Sequence, residues 1–156
     1  MDSISFEEIT EETLYIALEI INSNPEYNQL EHGKERRTLE EVKEEFINDK
    51  TMSQFIKLDD TYIGVMDYLP LNEKDQYPWL GLLMIHADYQ RFGFGKQAYF
   101  IFEKDMVEKG LEVIRIGVLK KNDRAQKFWV SVGFEYFKTA ISNNSNEVDC
   151  FEKILY

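Results

Sequence analysis

Apolar residues recur along this chain with two periods, and the switches between them mark out its elements. Leu14, Ala17, Leu18 and Ile21 fall at i, i+3, i+4 and i+7, the spacing of one helix face. Thr10 ahead of them is a cap residue, and Asn22-Ser23-Asn24-Pro25 stops the run. Residues 26–37 are polar without a period and read as irregular chain. Thr38-Leu39-Glu40-Glu41 is a capping box that opens a second helix with Leu39, Val42, Phe46 and Ile47 inward. Residues 4–9 read as a short first strand. The segments 52–58 and 62–69 flank Asp59-Asp60, a tight hairpin. The stretch from Pro70 to Pro78 reads as a loop. Residues 79–85 are almost wholly apolar, as expected of a central strand covered on both faces. In 97–108, Ala98, Ile101, Phe102 and Met106 make one helical stripe that Gly110 ends. Residues 113–119 are another strand. Asn122 caps a helix carrying Ala125, Phe128, Trp129 and Val132, which Gly133 closes. Segments 134–141 and 147–155 form a final hairpin around 142–146.

The element order is β-α-α-β-β-β-α-β-α-β-β. Strand 79–85, helix 97–108 and strand 113–119 make one βαβ unit, so those two strands run parallel and adjacent. The remaining strands are expected to be antiparallel, giving an α/β protein of the α+β kind, with a mixed sheet and helices on its faces. At 156 residues and 44% hydrophobic, the chain reads as a single domain over 1–156 with a core of its own.

Charge changes the picture. The net charge is −11, but residues 1–50 hold five Lys/Arg against fourteen Asp/Glu, whereas 90–127 hold nine against five. A basic patch inside an acidic chain suits a polyphosphate ligand near 90–127, and the acidic front suits a cationic substrate. Solvated helix faces are the plainer account of the acidic half. Overall acidity argues against nucleic acid as a partner. No apolar run approaches the ~20 residues that span a bilayer, and residues 1–8 lack the layout of a signal peptide. A single cysteine, Cys150, excludes an internal disulfide, so a cytoplasmic location is the expectation. Two distant histidines and one cysteine offer no metal-ligand spacing.

The chemistry concentrates in Gln90-Arg91-Phe92-Gly93-Phe94-Gly95-Lys96, between a strand and a helix. Glycines let backbone approach closely, and free N–H groups at a helix N-terminus point at an anion. The phosphate loop of nucleotide triphosphatases is excluded, because one residue separates the glycines and Gln97 follows Lys96. A dinucleotide fingerprint lacks its third glycine, with Ala98 there, and the next strand ends in Lys120-Lys121 without an acidic ribose partner.

Gln90-x-x-Gly93-x-Gly95 resembles the Gln/Arg-x-x-Gly-x-Gly/Ala signature of GNAT-type acyl-CoA N-acetyltransferases. The likeness runs through Met84-Ile85-His86-Ala87-Asp88-Tyr89, through Asn122-Asp123-Arg124-Ala125-Gln126-Lys127-Phe128-Trp129, and through Gly133-Phe134-Glu135. These motifs cover about 79–135, and the element order matches the family fold throughout. The resemblance implies acetyl-CoA as cosubstrate, without a metal. Backbone N–H groups of Arg91, Phe92, Gly93, Phe94, Gly95 and Lys96 would hold its pyrophosphate in the turn that Gln90 opens. The main chain of Met84 and Ile85 would line the pantetheine arm where strand 79–85 splays from strand 113–119. Asn122, Phe128 and Trp129 would face the other side of that arm. Lys96, Lys120, Lys121, Arg124 and Lys127 would supply positive charge.

The resemblance also implies direct attack of a neutral amine on the acetyl carbonyl. That needs a proton acceptor and a group that stabilises the departing thiolate. The family's glutamate position falls near Gly81-Leu82, and its tyrosine position is Trp129. Asp67 on the neighbouring strand is the candidate base and Tyr136 the candidate acid. Positioning alone with water-mediated proton loss is the plainer alternative. His86 reads as structural, His32 as plain loop and Cys150 as a small core residue. In the family the first two helices and their loop cover the acceptor, here the acidic 11–50 with Tyr27 and Glu31. A small cationic primary amine or a basic peptide end is therefore expected, with Glu26, Glu31 and Glu35 as its anionic partners. The loop 70–78 is a second candidate for setting specificity. A homodimer through the sheet edge or the final strands is a further expectation from the resemblance. The reading from another class is an acetyl-CoA-binding sensor or interaction module with little turnover.

Overall fold

A computed structural model of the protein describes residues 3–142 and 145–155. Its strands are β1 (Ile4–Glu8), β2 (Met52–Leu58), β3 (Thr61–Leu69), β4 (Trp79–Ile85), β5 (Val113–Leu119), β6 (Glu135–Ile141) and β7 (Glu147–Ile154). Its helices are α1 (Leu14–Asn22), α2 (Pro25–His32), α3 (Leu39–Phe46), α4 (Phe94–Glu108) and α5 (Asp123–Ser131). Short 3-10 turns at Glu11–Thr13 and Ala87–Tyr89 lead into α1 and towards α4. The seven strands form one sheet in the order β1-β2-β3-β4-β5-β7-β6.

Every pairing is antiparallel except β4 with β5. The expected parallel pair is there, but it is joined by one ladder pairing, Trp79 with Arg115. Beyond Leu80 the two strands diverge, and a wedge opens inside the sheet.

Alternation along the strands sends side chains to two separate cores. Ile56, Met66 and Ile85 pack with Ala98, Tyr99, Phe102 and Trp129 under α4 and α5. Phe55, Val65 and Met84 pack with Ala17, Ile20, Ile21, Val42 and Phe46 under α1 and α3. Asp67, two residues after Val65, is opposite Leu82 of β4, and Leu82 packs against the second core.

Two expected boundaries differ. Residues 25–32 are a helix, not irregular chain. Pro25 stands at its first turn, where a missing N–H costs nothing, and Gly33 closes it in the left-handed conformation at φ 77°. Tertiary bonds hold it: the buried Asn28 amide donates to the Ile21 carbonyl at 3.1 Å and to the Glu35 carbonyl at 3.0 Å. The second difference is α4, which starts at Phe94, three residues before the expected start at Gln97, because Gly93 takes φ 83° and serves as its N-cap. The capping box at Thr38 forms as expected: Glu41 N–H donates to Thr38 Oγ1 at 3.2 Å and Thr38 N–H to Glu41 Oε1 at 3.0 Å. Of the expected turn 142–146, residues 143 and 144 lie outside the described residues.

Gly64 fixes how closely β3 and β4 pack. A Cβ there would lie 2.5 Å from the Met84 carbonyl oxygen, a backbone atom. Gly64→Ala is expected to destabilise the fold by about 1–3 kcal/mol, the usual cost of overpacking. A lower denaturant midpoint at unchanged slope would register it. A wild-type midpoint would mean that β4 yields without cost.

Candidate active site

The wedge between β4 and β5 is the floor of a cleft of about 960 Å³. Leu80 to Ile85 line one side and Ile116 to Leu119 the other. Alternate backbone groups of β4 lose their β5 partners there, so the strand presents an open edge to an extended ligand with amides of its own.

At one end of the cleft is the glycine turn. Arg91 at φ 72° and Gly93 at φ 83° are both left-handed. This geometry turns successive N–H groups to one side, a concavity suited to an anion. Among the described residues no backbone carbonyl accepts from the N–H groups of 91–96, and the first bond of α4 is Gln97 N–H to the Gly93 carbonyl at 3.1 Å. The positive end of the helix dipole adds to the attraction.

Most residues expected at a cofactor site meet in this cleft. Met84, Ile85, Gln90, Arg91, Gly93, Phe94, Gly95, Lys96, Asn122, Phe128 and Trp129 line it; Phe92 does not, and the residue is 68% exposed. Lys121 and Arg124 join Lys96 along the wall, whereas Lys120 and Lys127 lie outside it.

The side chains divide by role. Gln90 is a strut: its Nε2 donates to Asn24 Oδ1 at 2.6 Å and to the Ile85 carbonyl at 2.8 Å, and its Oε1 accepts from Arg124 at 3.2 Å. It ties the α1–α2 junction, the end of β4 and α5 together, leaving the turn's backbone to meet a ligand. Asn122 caps α5, accepting from Ala125 N–H at 3.1 Å. Trp129 is 8% exposed and packs edge-on to Tyr99, Phe128 and Phe134, so it is a core residue with one surface on the cleft.

A second, smaller cavity of about 240 Å³ lies on the α1–α3 side of β4. Ile21, Tyr27, Glu31, His32, Arg37, Glu45, Asp67, Gly81, Leu82 and Met84 line it. Tyr27, Glu31, Gly81, Leu82 and Met84 line both cavities, so the two meet over β4 where it leaves β5.

Three carboxylates share the small cavity with one guanidinium. The Arg37 side chain is 7% exposed and lies 3.3 Å from Glu45 and 3.5 Å from Glu41. It also donates from Nη1 to His32 Nε2 at 2.9 Å, since a guanidinium has no acceptor. Burial, reinforced by Arg37, pushes the His32 pKa down, so the ring is neutral. Burial raises the pKa of Glu31, the Glu45 charge adds to the rise, and Arg37 opposes it. Burial likewise raises that of Glu45 against the pull of Arg37. Asp67, 8% exposed, is raised to about 6 by burial and the Glu45 charge, although Ser53 Oγ donates to its Oδ1 at 2.6 Å.

Other expected residues fall elsewhere. Tyr136 is 57% exposed on the edge strand β6, with its hydroxyl 2.8 Å from Thr139 Oγ1, and it lines neither cavity. Period-2 alternation cannot tell an edge strand from a central one. Of the three glutamates expected to hold a cation, Glu31 lies in the small cavity, Glu26 lines the cleft, and Glu35 lines neither. The loop 70–78 lines neither cavity; Asp75 ties it down by accepting from Trp79 Nε1 at 2.8 Å and Arg115 Nη1 at 3.2 Å. His86 is structural, its Nδ1 accepting from Asp88 N–H at 3.0 Å. The sequence did not point to Arg37, His32 and Glu45 as a group; Arg37 directly precedes the α3 capping box, His32 ends α2 and Glu45 lies in the last turn of α3.

Comparison with known proteins agrees with the fold. The model of the acetyltransferase (GNAT) family matches residues 15–134. The chain belongs to that family and is an acyltransferase. An acetyltransferase from Thermus thermophilus superposes at a TM-score of 0.83 with 21% identity, over 98% of this chain and 97% of that one. The acetyltransferase from Salmonella typhimurium that modifies the N-terminal serine of ribosomal protein L7/L12 gives 0.80 with 11% identity, over 98% and 95%. The spermidine N-acetyltransferase from Vibrio cholerae, in complex with CoA and spermine, gives 0.74 with 13% identity, over 97% and 95%. No curated protein matches the sequence. No described helix is long and apolar enough to cross a membrane.

Proposed function

We propose that the protein moves the acetyl group of acetyl-CoA to a small cationic primary amine, by direct attack in a complex that holds both substrates. The observation that carries this is the meeting of two unlike cavities over Gly81, Leu82 and Met84. One is long, edged by free backbone and basic at the glycine turn. The other is compact and acidic. The first suits a nucleotide with an extended arm and the second suits an ammonium, and a thioester laid along β4 would end where they join.

The residues present fit acetyl-CoA. The N–H groups of 91–96 take the pyrophosphate, with Lys96, Lys121 and Arg124 neutralising charge. Met84 and Ile85 line the pantetheine arm where β4 leaves β5, and Asn122, Phe128 and Trp129 close the far wall. The bound cosubstrate supplies an activated acetyl group. Three carboxylates facing one guanidinium leave the small cavity with an excess of negative charge that a cationic amine offsets. Its volume lies below the ~300–1,000 Å³ of sites for larger ligands, which favours a slender amine. The Vibrio cholerae neighbour is a spermidine acetyltransferase and carries spermine, which supports the same class.

Asp67 takes the proton that the acceptor ammonium must lose before its nitrogen can attack. Its pKa of about 6 leaves it ionised at neutral pH yet more basic than an exposed carboxylate. Tyr136 has no part in this scheme.

The test is release of CoA thiol from acetyl-CoA with pooled polyamines, aminoglycosides, amino acids and short peptides. Release with the polyamine or aminoglycoside pool is the expected result. No release with any pool, together with thermal stabilisation by acetyl-CoA, would favour the second reading of a binding module. The absence of a carboxylate from β4 is the observation on its side.

A further inference from the structure

The acetyl group changes hands where the two cavities join, and only five of the described residues line both. Gly81, Leu82 and Met84 offer that junction backbone, hydrocarbon and one thioether, none of which donates a proton. Gly81 leaves space above the strand: the nearest atom a Cβ there would meet is the Asp67 carbonyl oxygen at 3.5 Å. The other two residues, Tyr27 and Glu31, carry the side chains among these five that are able to bind or donate a proton. They lie one turn apart on α2, hence on the same face of that helix.

Tyr27 is held in place by its ring, which packs against the core under α1 and α3. Its hydroxyl bonds to no described residue and keeps access to the cavity space. A half-buried hydroxyl without a protein partner on the wall of two cavities is available to a ligand. Asp67 lines the small cavity alone, so it reaches the acceptor but not the cleft.

The geometry points to Tyr27 as a catalytic hydrogen-bond donor to the thioester carbonyl oxygen, with Glu31 holding the acceptor nitrogen beside it. This rests on the proposed reading of the site as an amine acetyltransferase. As the nitrogen lone pair bonds to the carbonyl carbon, the carbonyl π pair moves onto oxygen, where the Tyr27 O–H meets it. When the carbonyl re-forms, the carbon–sulfur bond breaks and its pair leaves on sulfur. The acceptor, starting as an ammonium, loses two protons: Asp67 takes one, and the other ends on the sulfur as the free thiol.

Burial first, then the charges of Glu31 and Glu45, push the Tyr27 pKa well above that of an ordinary phenol. The hydroxyl therefore keeps its proton throughout the working pH range. Its contribution is a fixed hydrogen bond, and it adds no limb to a pH profile.

Tyr27→Phe separates the hydroxyl from the ring. With acetyl-CoA and an accepted polyamine, kcat is expected to fall about 100- to 1000-fold, the effect of losing one donor to a developing oxyanion. Acetyl-CoA affinity, thermal midpoint and the acid limb of the kcat–pH profile are expected to match the wild type. Glu31→Gln is expected to raise KM for the amine more than it lowers kcat. A Tyr27→Phe kcat within about threefold of the wild type would overturn the assignment, since a donor to the oxyanion is worth far more. A fall in kcat accompanied by an equal loss of acetyl-CoA affinity or of thermal midpoint would overturn it too, by making Tyr27 a packing residue. If the wild type itself turns over no amine, the parent reading fails and takes this role with it, an outcome visible in the wild-type control alone.

Discussion

Gly95→Leu is expected to weaken acetyl-CoA binding by at least about 100-fold, or roughly 2.7 kcal/mol, while the protein stays folded. Gly95 lies in the first turn of α4, and its Cβ direction leads into the gap between Ile85 and Phe128. A Cβ there would sit 3.6 Å from each, an ordinary contact. The backbone therefore accepts a side chain, but the atoms beyond Cβ must occupy the cleft, between the turn's free N–H groups and the wall formed by α5. Leucine also favours a helix over glycine by up to about 1 kcal/mol. The variant is expected to melt at or above the wild-type temperature and to bind acetyl-CoA poorly in calorimetry. Unchanged affinity would mean that the cleft beside Gly95 is not where the nucleotide lies. A lower melting temperature would mean that the glycine serves packing and not access.

The second large effect is at Asp67. Asp67→Asn is expected to lower kcat by about 100- to 10,000-fold, the range for losing a positioned acid–base group. In the wild type, kcat is expected to rise with pH through about 6 as the Asp67 carboxyl ionises. The variant should lose that limb. Stability should move the other way. The folded-state pKa is raised from 3.8 to about 6, so the folded protein holds this proton more tightly than the unfolded chain. The wild type therefore loses stability as pH climbs from about 4 to about 6, and the loss persists above that window. Asparagine carries no charge to bury and can still accept from Ser53. At pH 7 the variant is expected to be more stable by up to about 2 kcal/mol, given about 1.36 kcal/mol per pKa unit and a group still partly solvated. A variant that retains the pH limb would remove Asp67 as the base. A variant that loses both activity and stability would place it in the packing of β2, β3 and β4. At Gly95 and at Asp67 alike, the residue that serves the site is one the fold alone would replace, a common cost of function.

What the sequence determined was local. Two periods of apolar residues, three caps and the glycine punctuation suffice for the element order, because each is a property of neighbours along the chain. The glycine turn was legible for the same reason: left-handed Gly93 and the free N–H groups of 91–96 are consequences of a few consecutive residues. The Gln90, Asn122 and Gly133-Phe134 motifs brought it into register with a known family.

What only the tertiary structure decided depends on which strands are neighbours and how they part. Residues 25–32 have a weak apolar stripe, and their helix is stabilised by the bonds of Asn28 to Ile21 and Glu35, contacts that no period records. The sequence expected an acidic cover over the acceptor, but not that Arg37 lies buried within it, or that Glu35 points elsewhere. Tyr136 follows Gly133-Phe134 closely in the chain, yet β7 inserts between β5 and β6 and carries it to the far edge of the sheet. Conversely, Tyr27 and Gly81 are 54 residues apart in sequence and meet because β4 leaves β5 after a single pairing. A side chain's neighbours within one element follow from the repeat of the backbone. Its neighbours across the sheet follow from strand order and from the two cores that fix it, and the junction of the two cavities is made of the second kind.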